Sequence, residues 1–203
     1  AQVQTVERTL HTVAASLAPS TCTTLRGLIE YPHRLMDCVE ESDPYAVHRS
    51  PSDTRRHYVG PLGEAPDAAA AQWPASPGSR RVFAYLRGEH PHYRTVLSAL
   101  AQANASVLCV WPDASEAAVT LFAAEPRIRI VREPVQAAVA LAQADAVVNY
   151  ASSTFVCQTL LAGKPQLMLP TDHEKVMVGG RVASLGLGVL CRKDAAETQV
   201  QEM

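Results

Sequence analysis

The sequence lacks any uninterrupted apolar run of the ~20 residues needed to cross a bilayer as a helix. Its opening, Ala1-Gln2-Val3-Gln4, has no basic flank of the kind that begins a secretory leader. Runs of Lys or Arg are also missing. With 18 basic against 20 acidic residues the net charge is -2, so there is no electrostatic stripe for a phosphodiester backbone or an anionic membrane surface. Cysteine is scarce and odd in number: Cys22, Cys38, Cys109, Cys157 and Cys191 are widely spaced, mostly in apolar stretches. They read as reduced core thiols, not as a disulfide or metal framework. No G-x-G-x-x-G follows a candidate strand, which argues against a nicotinamide or flavin oxidoreductase. What is present is ample apolar material, 47% of 203 residues, enough for a conventional core. The expectation is a folded cytoplasmic protein.

Along the chain, Val3, Val6, Leu10, Val13 and Leu17 draw one face of a helix. A shorter helical piece follows around Leu25, Leu28 and Ile29, then a short strand over Arg34 to Val39. Residues 1–60 cannot enclose this stripe by themselves, so they must dock on the later domain or belong to another one. Residues 61–80 carry Pro61, Pro66, Pro74, Pro77 and the Ala68 to Ala71 run, a linker composition. From residue 81 to 203 the texture changes. Val82 to Leu86, Val107 to Trp111, Ile128 to Val131, Ala146 to Asn149 and Leu167 to Leu169 are apolar runs suited to buried strands. Helical faces lie between them: Tyr93, Val96, Leu97 and Leu100; then Val135, Ala138, Val139 and Ala142; last Val178, Val182 and Leu185. Strand and helix alternating about five times means an α/β fold, a Rossmann-like parallel sheet with helices on both faces.

Ligands of such sheets bind beyond the carboxyl ends of the strands, which directs attention to four places. Gly88, after the first strand, would let a phosphate approach the backbone, although glycine at a strand end more often marks a simple turn. Arg132-Glu133-Pro134-Val135 offers exposed backbone to a flat ring, although Pro134 also suits the first turn of a helix. Ser152, Ser153 and Thr154 open a helix ended by Gly163 and Pro165. Hydroxyls and free amides at the positive end of a helix dipole suit a diphosphate, and an ordinary N-cap is the local alternative. After the fifth strand, Glu174 could accept from sugar hydroxyls and Lys175 could face a phosphate. Asp172, His173 and Glu174 are too close in sequence to converge on one metal ion, and no metal is expected.

The order of these features resembles the donor-binding half of GT-B-fold glycosyltransferases of the UDP-glycosyltransferase-like family. Asp145 before the strand, the turn from Tyr150 to Ser152, Ala162-Gly163-Lys164-Pro165, Pro170, Glu174-Lys175 and Arg181-Val182-Ala183-Ser184-Leu185-Gly186-Leu187-Gly188 occupy the positions of that family's signature. Tyr58-Val59-Gly60-Pro61 looks like the strand entering its C-terminal domain, and residues 1–60 like the tail of its acceptor domain. Two departures stand out: Tyr150 takes the place of the family's histidine, and Lys175 that of its glutamine.

The resemblance implies a nucleoside diphosphate sugar, a uridine nucleotide sugar in much of the family, as substrate, with no separate cofactor. It implies transfer to a small-molecule or lipid acceptor held by another domain. Diphosphate contacts then fall to Ser152, Ser153, Thr154 and Gly88, base contacts to Arg132 and Val135, and donor-sugar contacts to Glu174 and Lys175. The chain is expected to be truncated at its C-terminus, to be inactive in isolation, and to be capable of self-association through its first helix; the catalytic base is unassigned. A nucleotide-sugar epimerase of the same fold and a noncatalytic nucleotide-binding domain remain open as alternatives.

Overall fold

The structure is a computed structural model that describes residues 4, 5, 8, 9, 12, 34–50, 56–62, 68–75 and 78–196. The chain divides into two compact units, Ala1–Met36 with Ser50–His57, and Asp37–Arg49 with Tyr58–Met203. In the first, Gln4, Thr5, Arg8, Thr9 and Thr12 are helical. The hydroxyls of Thr9 and Thr12 donate to the carbonyls of Thr5 and Arg8, each at 3.0 Å, one turn back. A short strand β1 (Arg34–Met36) pairs with β2 (Arg56–Tyr58). The apolar stripe from Val3 to Leu17 and the piece around Leu25, Leu28 and Ile29 lie outside the described residues.

Among its described residues from Arg80 on, the second unit alternates six strands with five α-helices: β3 (Arg80–Tyr85), α1 (Tyr93–Gln102), β4 (Ala105–Val110), α2 (Glu116–Phe122), β5 (Ile128–Val131), α3 (Ala137–Gln143), β6 (Ala146–Asn149), α4 (Ser153–Leu161), β7 (Gln166–Met168), α5 (His173–Ser184) and β8 (Val189–Leu190). The strands form one sheet in the order β5-β4-β3-β6-β7-β8, every pair parallel. Counted from β3 this is the order 3-2-1-4-5-6 of a doubly wound Rossmann sheet, whose direction of growth reverses between β3 and β6.

Alternation of side chains assigns the layers. Val82, Ala84, Val107 and Cys109 pack with Tyr93, Val96 and Leu97 of α1 and Ala118 and Phe122 of α2. Phe83, Leu108, Val110 and Val147 point to the opposite face, against Ala140 and Leu141 of α3 and Phe155 of α4. β4 is buried at all six positions, as an inner strand covered on both faces must be. A third cluster joins Val156 of α4 to Met168 and to Val178 and Val182 of α5.

The fold expected from sequence is the fold observed, with differences at the edges. Helix α2 and strand β8 were not anticipated, because seven residues with two buried positions and a two-residue strand give little periodic signal. The polar cluster after β7 opens helix α5, as its residue types imply: the Asp172 carboxylate accepts the Lys175 amide at 3.2 Å and caps it. Val135, read as part of a helical face, instead lies in extended backbone: its segment forms a parallel bridge with Ala69, and α3 starts at Ala137. The preceding segment is held by Asp43, whose side chain is buried and accepts from Arg49 Nε at 2.7 Å, Tyr58 Oη at 2.8 Å and the Tyr45 amide at 2.9 Å. Cys38, Cys109, Cys157 and Cys191 are buried free thiols.

Candidate functional site

At the reversal point β3 and β6 stay paired to their ends, with the Tyr150 amide donating to the Tyr85 carbonyl at 3.2 Å, and a cavity of 290 Å³ lies beside these ends. Its floor is aromatic. Tyr85 at the end of β3 meets Phe155 edge-on at a centroid distance of 4.9 Å and Tyr150 at 5.5 Å. Burial, with Tyr150 beside it, raises the pKa of the Tyr85 phenol, so it stays neutral at physiological pH. One wall is the Pro134–Gln136 segment ahead of α3, and the other is the start of α4, with Ser152, Thr154, Phe155 and Gln158. Thr154, Phe155 and Gln158 share a face because positions three and four apart on a helix do. Among the described residues no charged side chain lines the cavity.

The α4 wall is set by Asn149. This fully buried residue accepts the Ala151 amide on Oδ1 at 2.8 Å and donates from Nδ2 to Gln166 Oε1 at 3.0 Å. Its grip fixes Ala151 in a left-handed conformation, φ 64°, which costs a residue with a Cβ ~1–2 kcal/mol. The chain then enters α4 with Ser152 as N-cap, but the Ser152 side chain makes no capping bond. The first-turn amides of α4 therefore receive no bond from the Ser152 side chain, and the hydroxyl residues Ser152, Ser153 and Thr154 stand at the same turn.

The opposite wall presents a backbone edge. The Ala69 amide donates to the Pro134 carbonyl at 3.2 Å and the Gln136 amide donates to the Ala69 carbonyl at 2.9 Å. A parallel bridge of this kind uses the groups of the two flanking residues, so Val135's own N–H and C=O project from the other edge.

The remaining candidates go elsewhere. Gly88, at φ 62°, donates its amide to Asp113 Oδ2 at 2.7 Å. It lines a separate cavity of 610 Å³ together with His90, Trp111 and Lys193. Arg132 turns toward α2, where Nη2 donates to the Ala114 carbonyl at 2.8 Å and to Glu116 Oε1 at 2.7 Å. Lys175 folds back on its own turn: Nζ lies 2.7 Å from Asp172 Oδ2 and 3.4 Å from Glu174 Oε2. The Lys175 hydrogen bond holds Asp172 below the usual carboxylate range. That ammonium is also 5.8 Å from the Tyr150 ring centroid, next to the cavity although not in its lining. Ser152, Thr154 and Val135 are thus brought to one cavity, with Ser153 beside them on the same helical turn; Gly88, Arg132, Glu174 and Lys175 are not in its lining. Asn149, Tyr85, Gln136 and Gln158 belong to the site and were missed. A helical wheel drawn from Thr154 would have found Gln158.

Among the described residues no group of three His, Cys, Asp or Glu side chains could hold a metal ion, and no helix is long and apolar enough to cross a membrane.

No protein-family profile matches the sequence, and no curated protein does. Solved structures do. The glycotransferase of kitacinnamycin superposes with a TM-score of 0.67 at 19% identity over 97% of this chain and 51% of its own. CalG4, the calicheamicin glycosyltransferase, gives 0.64 at 19% identity over 98% and 49%. VinC, a glycosyltransferase solved in complex with DTDP, gives 0.52 at 20% identity over 66% and 35%. The chain spans about half the length of the first two. At such identities the likeness is one of architecture: this chain has the Rossmann-like α/β fold of the GT-B glycosyltransferases.

Proposed function

We propose that the cavity beside the ends of β3 and β6 binds the nucleoside diphosphate portion of a glycosyl donor, and that the chain is the donor-binding part of a glycosyltransferase. The observation that carries this reading is the pairing of two unsatisfied walls across one cavity. On one side, the start of α4 combines amides that receive no bond from the Ser152 side chain with the hydroxyls of Ser152, Ser153 and Thr154. A helix N-terminus of this kind favours negative charge and needs no metal. On the other side, the N–H and C=O of Val135 form an adjacent donor and acceptor, matching the edge of a pyrimidine imide. The aromatic floor of Tyr85, Tyr150 and Phe155 gives a flat base a surface to lie against.

Chemistry at such a site is charge stabilisation. When the sugar leaves, negative charge grows on the diphosphate, and preorganised donors at the α4 terminus stabilise it without reorganising. Glu174 and Lys175, at the head of α5 beside Tyr150, flank the place where the sugar would emerge. Among the described residues that line the cavity none is a carboxylate or imidazole, so the cavity is assigned donor binding and no general base. Acceptor binding belongs to a separate part of a larger enzyme, as the half-length match to known glycosyltransferases suggests.

Titration calorimetry tests the reading. Uridine or thymidine diphosphate should bind more tightly than the matching monophosphate. Equal, negligible heats from a folded sample would reject it.

A further inference from the structure

The stretch before β3, linker-like in composition, is tied to the cavity at several points. Besides the two backbone bonds of Ala69, the Ala68 carbonyl accepts Gln136 Nε2 at 3.2 Å. Beyond them the stretch is anchored by Trp73. Its Nε1–H donates to Gln143 Oε1, at the last residue of α3, at 2.6 Å. Its ring lies 5.4 Å from the Arg81 guanidinium and packs on the core cluster of Phe83 and Leu108.

These ties oppose a competing conformation. Proline is at home in the first turn of a helix, and Val135 and Gln136 follow Pro134 directly into α3. Without Ala69 the helix could wind back to Pro134. The Val135 carbonyl would then turn along the helix axis toward the Val139 amide, as helical backbone requires, and leave the cavity. Gln136, at ψ 99°, is held in extended backbone by the bridge.

We propose that residues 68–73 act as a strap that keeps the Val135 edge turned into the cavity, with Trp73 as its positioning residue, so that the strap governs which nucleobase the site accepts. This rests on the reading of the cavity as a nucleotide site. The strap acts on the base and not on the phosphates, which the α4 start would hold 17 or more residues further along the chain.

The test is calorimetry on the full chain with three ligands: uridine diphosphate, cytidine diphosphate and inorganic pyrophosphate. Gln143→Leu removes the acceptor for Trp73 at an exposed position, Gln143→Glu retains it, and Trp73→Ala removes the anchor. One lost hydrogen bond corresponds to about a fivefold loss in affinity. Gln143→Leu should weaken uridine diphosphate about fivefold and Trp73→Ala about tenfold or more. Both should narrow the ratio between the two nucleotides and leave pyrophosphate unchanged, while Gln143→Glu behaves as wild type. Parallel weakening of all three ligands, or no change in a folded Gln143→Leu protein, would overturn the strap while leaving the nucleotide site intact. Failure of the wild-type chain to bind either nucleotide would overturn the site itself, and the strap with it.

Discussion

Replacing Asn149 with alanine isolates the residue that shapes the α4 wall. Asn149 is fully buried and carries two hydrogen bonds, to the Ala151 amide and to Gln166 Oε1. The substitution removes both and leaves the Ala151 N–H and the Gln166 amide facing an apolar void. Gln166 would then have no partner at either end, since its Nε2 is already without one. Each net hydrogen bond contributes ~1 kcal/mol and each orphaned buried group costs ~1–3 kcal/mol, so a loss of about 2–4 kcal/mol is expected. The Ala151 turn should also relax out of φ 64°, because nothing then offsets its left-handed strain, and the first-turn amides of α4 would swing with it. Urea denaturation reads the stability and nucleotide titration of the folded variant reads the site; both should fall. A stability loss below ~1 kcal/mol, or unchanged nucleotide affinity in a folded Asn149→Ala protein, would refute the assignment of this turn to Asn149.

Other substitutions probe the same geometry. Ala151→Gly should shift stability by no more than about 0.5 kcal/mol, because relief of ~1–2 kcal/mol of left-handed strain is offset by loss of a buried methyl worth ~0.8 kcal/mol and by added chain entropy; thermal unfolding decides. Gly78→Ala should destabilise strongly, since its Cβ would lie 2.3 Å from the Asn104 carbonyl oxygen and 2.5 Å from the Ser106 nitrogen, and a soluble protein with an unchanged melting point would contradict the packing. Burial, reinforced by His92 and Lys193 and opposed by the Cys191 backbone, pushes the His90 imidazole down to about 4. A depressed folded value means that the unfolded chain binds the proton first, so stability should fall as pH drops from ~6.5 toward 4, and His90→Gln should flatten that slope in pH-dependent denaturation. Burial of Asp43 is outweighed by its bonds from Arg49, Tyr45 and Tyr58, which hold its carboxyl below the usual range. Its contribution should therefore be complete above ~4 and be lost as pH falls through the folded value, a loss absent in Asp43→Asn.

The sheet was legible in the sequence because buried parallel strands are written as apolar runs. Ile128–Val131 and Ala146–Asn149 coincide with the expected runs residue for residue. The Tyr150 to Thr154 turn was legible too, since its residue types announce a helix start. Partnering over long range was not. Arg132 sits next to Pro134 and Val135 in sequence, yet its guanidinium is taken by Glu116 and the Ala114 carbonyl, 16 and 18 residues earlier. Gly88 could be seen as a close-approach position, but nothing local says that Asp113 occupies its amide. The Ala68 to Ala71 run read as linker because a backbone bridge such as that of Ala69 with Val135 leaves no side-chain signature. Asn149 looked like the polar end of an apolar strand, and its two bonds appear only when Ala151 and Gln166 are brought around it.

The most direct test of the nucleotide site is the position of a bound ligand, obtained from crystals grown with thymidine or uridine diphosphate. The base should lie on Tyr85 with its imide edge on the N–H and C=O of Val135, and the phosphates should lie at the amides and hydroxyls of Ser152 to Thr154. A nucleotide seated instead in the cavity beside Gly88 and Trp111, or bound with its phosphates away from the start of α4, would contradict the account.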